Sequence, residues 1–256
     1  MSAPALEAIG LCKSFGGVRA AADVSFAVPE RSLTAIIGPN GAGKTTLFNL
    51  MTNLFTADSG EVRYFGEPLA GVAAAQIAAR GLVRTFQSAR IFPGMTTHEN
   101  VLAGAHQHVR AHPLAQMLWL PAALREERML GARADALLDL AGLKAYRDRA
   151  ATELPIGAQK LLEIMRALMA QPRVLLLDEP AAGLNDSETA ELATLLRALR
   201  ESGVTVIVVE HNMSLVMGVA DEVIVLDAGS IVANGTPAEI QRNPRVVEAY
   251  VGKDLV

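Results

Sequence analysis

Cysteine is nearly absent from this sequence of 256 residues: Cys12 stands alone. An internal disulfide is therefore excluded, no cysteine cluster is available for zinc, and Cys12 reads as a buried structural thiol. Aromatic residues make up 4% of the chain, and no apolar run approaches the ~20 residues needed to cross a bilayer. The nearest run, Pro113 to Leu124, contains Gln116 and is interrupted by Pro121, so it is expected to pack against its own surroundings. Positive charge is not in excess either. The net charge of −4 gives no overall basic footprint, and nucleic acid is not expected as a partner. Residues 1–7 lack a basic segment followed by an apolar core, so no secretory signal is expected and the chain is expected in the cytosol. There is no internal repeat and no low-complexity linker.

What is abundant is apolar: 51% of the residues are hydrophobic, rich in Ala, Leu and Val, which suits a buried parallel sheet covered by helices. The apolar run Leu33-Thr34-Ala35-Ile36-Ile37 leads into Gly38-Pro39-Asn40-Gly41-Ala42-Gly43-Lys44-Thr45-Thr46, and a helix-compatible segment, Leu47 to Met51, follows. The spacing G-x-x-x-x-G-K-T lets the backbone curl so that successive N–H groups face the phosphates of a nucleotide. Gly38, Gly41 and Gly43 are the permissive positions, the helix adds the positive end of its dipole, Lys44 reaches the β- and γ-phosphates, and the Thr45 hydroxyl ligates Mg²⁺. The expected ligand is a nucleoside triphosphate with its metal, one per chain.

Ahead of this loop, Leu6 to Phe15 and Val18 to Val28 read as strands of a small antiparallel region joined at Gly16-Gly17. Phe15 could stack on an adenine face, although periodicity alone makes it a core residue. Gly60 to Phe65 and Leu82 to Phe86 read as further strands, with an Ala-rich helix from Gly71 to Arg80 between them. Thr96-Thr97-His98-Glu99 has the Thr-x-x-Glu pattern of a helix start. From about His106 to Asp148 the chain is mainly helical, an inserted lobe. His106, His108 and His112 lie at its start without a neighbouring carboxylate or cysteine, so they read as solvated surface.

Pro155 and Gly157 mark another helix start. Val174-Leu175-Leu176-Leu177 is a fully buried strand ending in Asp178-Glu179-Pro180, where ionised carboxylates are costly unless a metal or cation compensates. Open α/β sheets place ligands at such strand ends, which makes Asp178 the expected Mg²⁺ partner and leaves Glu179 to orient or deprotonate water. Ala190 to Leu199 is helical, and the strand Val204 to Val209 ends in Glu210-His211, a similar position for His211. Glu222 to Leu226 and Ser230 to Ala233 read as short strands, followed by a helix from Pro237 and a last helical segment, Val246 to Val251.

Taken together, residues 38–46, Gln87, Leu154 to Gln159, Leu177 to Pro180 and His211 occur in the order of an ABC-transporter ATPase subunit, which the whole chain resembles. The resemblance implies an α/β P-loop NTPase fold of the ABC ATPase type: a mixed sheet core (1–87 and 171–256), a small antiparallel β region, and a helical lobe (about 88–170). It implies ATP and Mg²⁺ as ligands, with Phe15 at the adenine, Gln87 sensing Mg²⁺ and water and contacting a permease, Glu179 as catalytic base, and His211 facing the γ-phosphate. Asn185 stands where the family usually has Asp, and Leu154-Pro155-Ile156-Gly157-Ala158 replaces Leu-Ser-Gly-Gly-Gln. Pro155 removes a serine hydroxyl that would bind a partner chain's ATP, while Gly157 and the helix N-terminus keep backbone N–H groups for an anion.

Arg84 to Pro93, Glu179 to Asn185, Glu210 to Met213, Ala233 to Pro237 and Asn243 to Tyr250 resemble the importers of branched-chain amino acids. Those importers imply transmembrane permeases, an identical or homologous ATPase subunit completing a dimer around two nucleotides, a solute-binding protein, and a place on the cytoplasmic face of the membrane. Close relatives serving urea and short amides are the alternative. A soluble ABC ATPase usually carries two cassettes or a long coiled-coil insertion, which this chain lacks, and a small-molecule kinase leaves Gln87 and His211 without a role.

Overall fold

A computed structural model describes residues 3–85, 90–107, 109 and 117–251, with Val251 through its backbone alone. The chain divides into two compact units. One comprises 1–84, 173–182 and 189–256, and the other 85–172 and 183–188.

The first unit holds two sheets. Strands β1 (Leu6–Phe15) and β2 (Val18–Val28) form a hairpin through Gly16 and Gly17, both at positive φ as its two-residue turn requires. β1 also pairs antiparallel with β4 (Ser59–Tyr64), which continues into the two-residue strand β5 (Glu67–Pro68), giving the order β2-β1-β4-β5.

The larger sheet has the order β10-β9-β3-β8-β7-β6. Its strands are β3 (Leu33–Ile37), β6 (Leu82–Arg84), β7 (Val174–Asp178), β8 (Thr205–Val209), β9 (Glu222–Asp227) and β10 (Ser230–Gly235). Every neighbouring pair is parallel except β9–β10, so the sheet is mixed, as expected of a P-loop ABC ATPase fold. All residues of β3, β7 and β8 are buried. That is why these strands read as continuous apolar runs and not as alternating ones.

Helix α1 (Lys44–Met51) follows β3 and drives Leu47, Phe48 and Met51 into a core shared with Leu6, Leu11, Ile36, Leu176 and Ile207. Complete burial of a side chain such as Phe48 contributes roughly 1.5–3 kcal/mol, so α1 and the loop before it are anchored from below. The short helix α2 (Ala74–Ala79) precedes β6.

The second unit packs α3 (Thr97–Leu102), α4 (Pro121–Leu140) and α5 (Ile156–Met169) against one another, with Val101, Ala134, Leu138, Leu162 and Met165 buried. The Thr96–Glu99 capping box starts α3 as the sequence predicts. Asn100, fully buried, accepts from Phe92 N–H at 2.8 Å and donates to the Thr96 carbonyl at 3.0 Å, fixing the loop before α3.

The remaining helices are α6 (Asp186–Glu201), α7 (Met213–Val219), α8 (Pro237–Gln241) and α9 (Pro244–Val251). Helix α6 begins four residues ahead of the predicted Ala190, because Asn185 and Glu188 bond reciprocally at its start, at 2.9 and 3.0 Å. Met117, Leu118 and Trp119 are 64–69% exposed, which corrects the expectation for these three residues of the run Pro113 to Leu124, while Ala123 is buried and 113–116 lie outside the described residues. No helix among the described residues is long and apolar enough to cross a membrane.

Candidate nucleotide site

The loop between β3 and α1 curls because its glycines take positive φ: 153° at Gly38, 82° at Gly41 and 100° at Gly43. Two of them also lie against neighbouring backbone. A Cβ on Gly38 would sit 2.1 Å from the Leu226 carbonyl oxygen, and one on Gly43 would sit 2.2 Å from that of Ala20. The hairpin between β9 and β10 is tied to the loop by Gly229 N–H, which donates to the Ala42 carbonyl at 3.0 Å.

Lys44 is 8% exposed, and its Nζ donates to the carbonyls of Gly38 at 2.6 Å and Pro39 at 3.0 Å. The ammonium is thus held inside the curl of the loop. Residues 40–46 line a cleft of about 490 Å³ with Arg19, Ala20, Glu179 and Ala228 around it. The first-turn N–H groups of α1 have no intrahelical partner, so this end of the helix suits an anion. Thr45 is exposed and Thr46 partly so.

Glu179 comes to this cleft from the far side of the sheet order, at the end of β7. Its N–H donates to the Val209 carbonyl at 3.0 Å, and its φ is +93°, a conformation that residues other than glycine rarely adopt. His211 follows the end of β8, the strand paired with β7, and is exposed.

Asp178, 4% exposed, has a cation partner that sequence reasoning missed. Arg84 at the end of β6 donates to Asp178 Oδ2 at 2.8 Å, bonds Asn49 of α1, and lies over the Phe48 ring at 5.4 Å. Burial raises the Asp178 carboxyl above the usual carboxylate range; Arg84 opposes this, Glu179 adds to it, and Lys44 opposes it. The signal in the sequence was a basic residue in the otherwise apolar run Leu82-Val83-Arg84.

Other expected positions fall differently. Phe15 is 44% exposed, which corrects its periodicity-based place in the core, and it packs edge-on against Phe55 at 5.6 Å between ring centres. It lies outside the lining of the cleft, to which the same hairpin contributes Val18, Arg19 and Ala20. Cys12 is only half-buried: it lies past an irregularity in the pairing of β1 with β4, opposite Ser59 at the start of that strand, and its Sγ accepts from Asp23 N–H at 3.3 Å. Gln87, His108 and His112 lie outside the described residues.

Gly157 is buried in the first turn of α5, whose N-cap Pro155 supplies no side-chain cap. A Cβ there would meet Glu188 Oε1 at 2.4 Å, so an acidic side chain borders this helix start. Gly157 belongs to the second unit, and the phosphate loop to the first.

A strand, a phosphate-cradling loop, a helix and carboxylates at the adjoining strand ends define a P-loop nucleotide-binding protein. The ABC transporter family model matches residues 21–182, and a model for the branched-chain amino acid ATP-binding cassette transporter matches residues 230–256. The chain belongs to the ABC transporter family, as an ATP-binding cassette. It is 44% identical to the high-affinity branched-chain amino acid transport ATP-binding protein BraF of Pseudomonas aeruginosa, covering 99% of this chain and 100% of that one. The corresponding LivG protein of Salmonella typhimurium is 43% identical over the same shares. Among solved structures, the ADP conformation of an ATP-binding cassette of an ABC transporter aligns with a TM-score of 0.83 at 32% identity, over 98% of this chain and 99% of that one. A nucleotide-free cassette aligns with a TM-score of 0.82, also at 32% identity, over the same shares.

Proposed function

We propose that the chain is the ATP-hydrolysing subunit of a membrane importer of branched-chain amino acids. The observation that carries the enzymatic part is the meeting of residues 40–46 and Glu179 in one cleft. The substrate class rests on the 44% identity to BraF and on the C-terminal family match. The chain works on the cytoplasmic face of the membrane, pairs with an identical or homologous ATPase subunit, and drives transmembrane permeases supplied by a solute-binding protein.

Backbone N–H groups of the loop and the start of α1 bind the ATP phosphates, and Lys44 turns its ammonium from the loop carbonyls to the β- and γ-phosphates. Thr45 and Asp178 supply hard oxygen donors for a magnesium ion, which neutralises phosphate charge when bound. The residues fit that ion: Thr45 is exposed in the cleft, Asp178 ends the strand that leads to Glu179 there, and magnesium takes few protein ligands and completes its shell with phosphate and water. Glu179 orients and deprotonates the attacking water, His211 stabilises the γ-phosphoryl, and Gln87 links the site to the permease. Gly157, at the start of α5, offers backbone N–H groups to the ATP of the partner chain. Phe15 presents an exposed ring for adenine, and residues from about 88 to 170 form the inserted helical lobe.

The test joins turnover to transport. Glu179→Gln is expected to bind Mg-ATP and lose hydrolysis, and chromosomal Lys44→Ala to lose leucine uptake while an unrelated amino acid is still taken up. Turnover in a clean Glu179→Gln preparation would remove Glu179 from its role. Loss of urea uptake alone would move the substrate to the amides.

A further inference from the structure

The end of β8 carries a charged residue for which neither the phosphate cleft nor the metal donors have a use. Glu210 is fully buried. A carboxylate in such a place must have its oxygens satisfied, and here backbone donors satisfy both. Oε1 accepts from Ala181 N–H at 2.7 Å, while Oε2 accepts from His211 N–H at 3.0 Å and Asn212 N–H at 3.3 Å. The Glu210 N–H donates to the Ile36 carbonyl at 3.2 Å, which fixes the residue to the strand that feeds the phosphate loop.

The two loops joined by this carboxylate are the ones that carry Glu179 and His211. Glu179 is held at φ +93°, a strained conformation that persists only where its surroundings enforce it. Ala181 N–H, bonded to Glu210, lies two residues beyond it. On the other side, Asn212 caps α7 by accepting from Leu215 N–H at 3.0 Å, so the chain around His211 is fixed from both ends.

We propose that Glu210 is a positioning residue for ATP hydrolysis, its carboxylate clamping the Glu179 loop and the His211 loop in one register. It is fully buried and outside the lining of the cleft, and it acts through Glu179 and His211, so the inference rests on the roles given to those two residues above. Both of its oxygens accept. A glutamine of the same size must turn its NH₂ toward either Ala181 N–H or the His211 and Asn212 N–H groups, setting donor against donor and releasing one loop.

The experiment compares steady-state ATPase activity of the full chain as wild type, Glu179→Gln, Glu210→Gln, His211→Ala and the Glu210→Gln/His211→Ala pair. Glu210→Gln is expected to lower kcat roughly tenfold to hundredfold, as misplacement by a fraction of an ångström to an ångström does. Its KM for ATP and its Mg-ATP affinity are expected to stay within about twofold of wild type. The double variant is expected to lose less than the product of the two single losses, because part of the clamp's effect passes through His211. A kcat within about twofold of wild type, a rise in KM that accounts for the loss, or losses that multiply in the double variant would each overturn the proposal.

Should Glu210→Gln fail to bind Mg-ATP, Glu210→Asp, which keeps both acceptors but withdraws them by about one bond length, takes its place. Failure of binding in both overturns the proposal, since the carboxylate then holds the fold and not the site. Wild-type hydrolysis that is lost in Glu179→Gln upholds the reading of the site, so an active Glu210→Gln beside it overturns the clamp alone.

Discussion

Replacing Arg84 with methionine isolates the cost of burying Asp178. The arginine side chain is 12% exposed and the aspartate 3%, so solvent cannot take over the lost charge. Removing one partner of a buried pair costs about 3–5 kcal/mol, because the surviving charge is left uncompensated. The lower end applies here, since methionine keeps an apolar stem over Phe48 and Asp178 can take up a proton. About 3 kcal/mol corresponds to a fall in Tm of about 6 °C for a chain of this length. The sign of the pH dependence follows from the Asp178 carboxyl, which burial raises above its unfolded value. A raised carboxyl favours the protonated form in the fold, so its contribution to stability is present at low pH and lost as pH rises through the folded pKa. Arg84 lowers that pKa, and its removal raises it further, so the penalty of Arg84→Met is expected to be larger near about pH 8 than near about pH 5.5. Adding Asp178→Asn removes the orphan charge and is expected to recover at least about 1 kcal/mol of the loss. Thermal unfolding of wild type, Arg84→Met, Asp178→Asn and the double variant at both pH values is the assay. A Tm change below about 1 °C, or an equal change at both pH values, would refute the reasoning.

Two further predictions concern the backbone and the helix caps. Gly43→Ala places a Cβ 2.2 Å from the Ala20 carbonyl at φ 100°, and it is expected to cost about 2 kcal/mol or more and to abolish binding of a fluorescent ATP analogue, which retained binding would contradict. Glu99 and Glu239 each accept from a threonine backbone N–H and then from its hydroxyl, which hold both carboxyls below the usual glutamate range. Carboxyl NMR titrations are expected to show both midpoints lowered, with the stabilisation present above the unfolded pKa and lost as pH falls through the folded one. Thr96→Ala is expected to move Glu99 back toward its ordinary value, and an unmoved midpoint would count against the cap.

Local signals were legible where they sit close together in the chain. The phosphate loop is a contiguous pattern, and Thr96 with Glu99 is a cap whose members are three residues apart. Buried parallel strands such as β7 announce themselves by unbroken apolar runs. Helix α7 was missed because its seven residues include Gly218 and its start depends on Asn212, a cap without a following acidic partner. Phe15 and Cys12 were misplaced for a related reason. An alternating pattern says which side chains share a face, but not how far the hairpin runs past the core that covers that face.

The cation beside Asp178 shows where reading in chain order stops. A carboxylate at the end of an apolar strand requires compensation, and that requirement follows from desolvation alone. Which group meets it depends on the sheet order. Arg84 and Asp178 are 94 residues apart in the chain and become neighbours because β6 pairs in parallel with β7, Arg84 opposite Leu176. Glu210 obeys the same rule, since its Oε1 finds Ala181 only because β8 lies beside β7. The residues proposed to meet the nucleotide thus carry their signal in short motifs. The charged groups that hold them in place carry theirs in the topology, as polar residues at the ends of otherwise apolar strands.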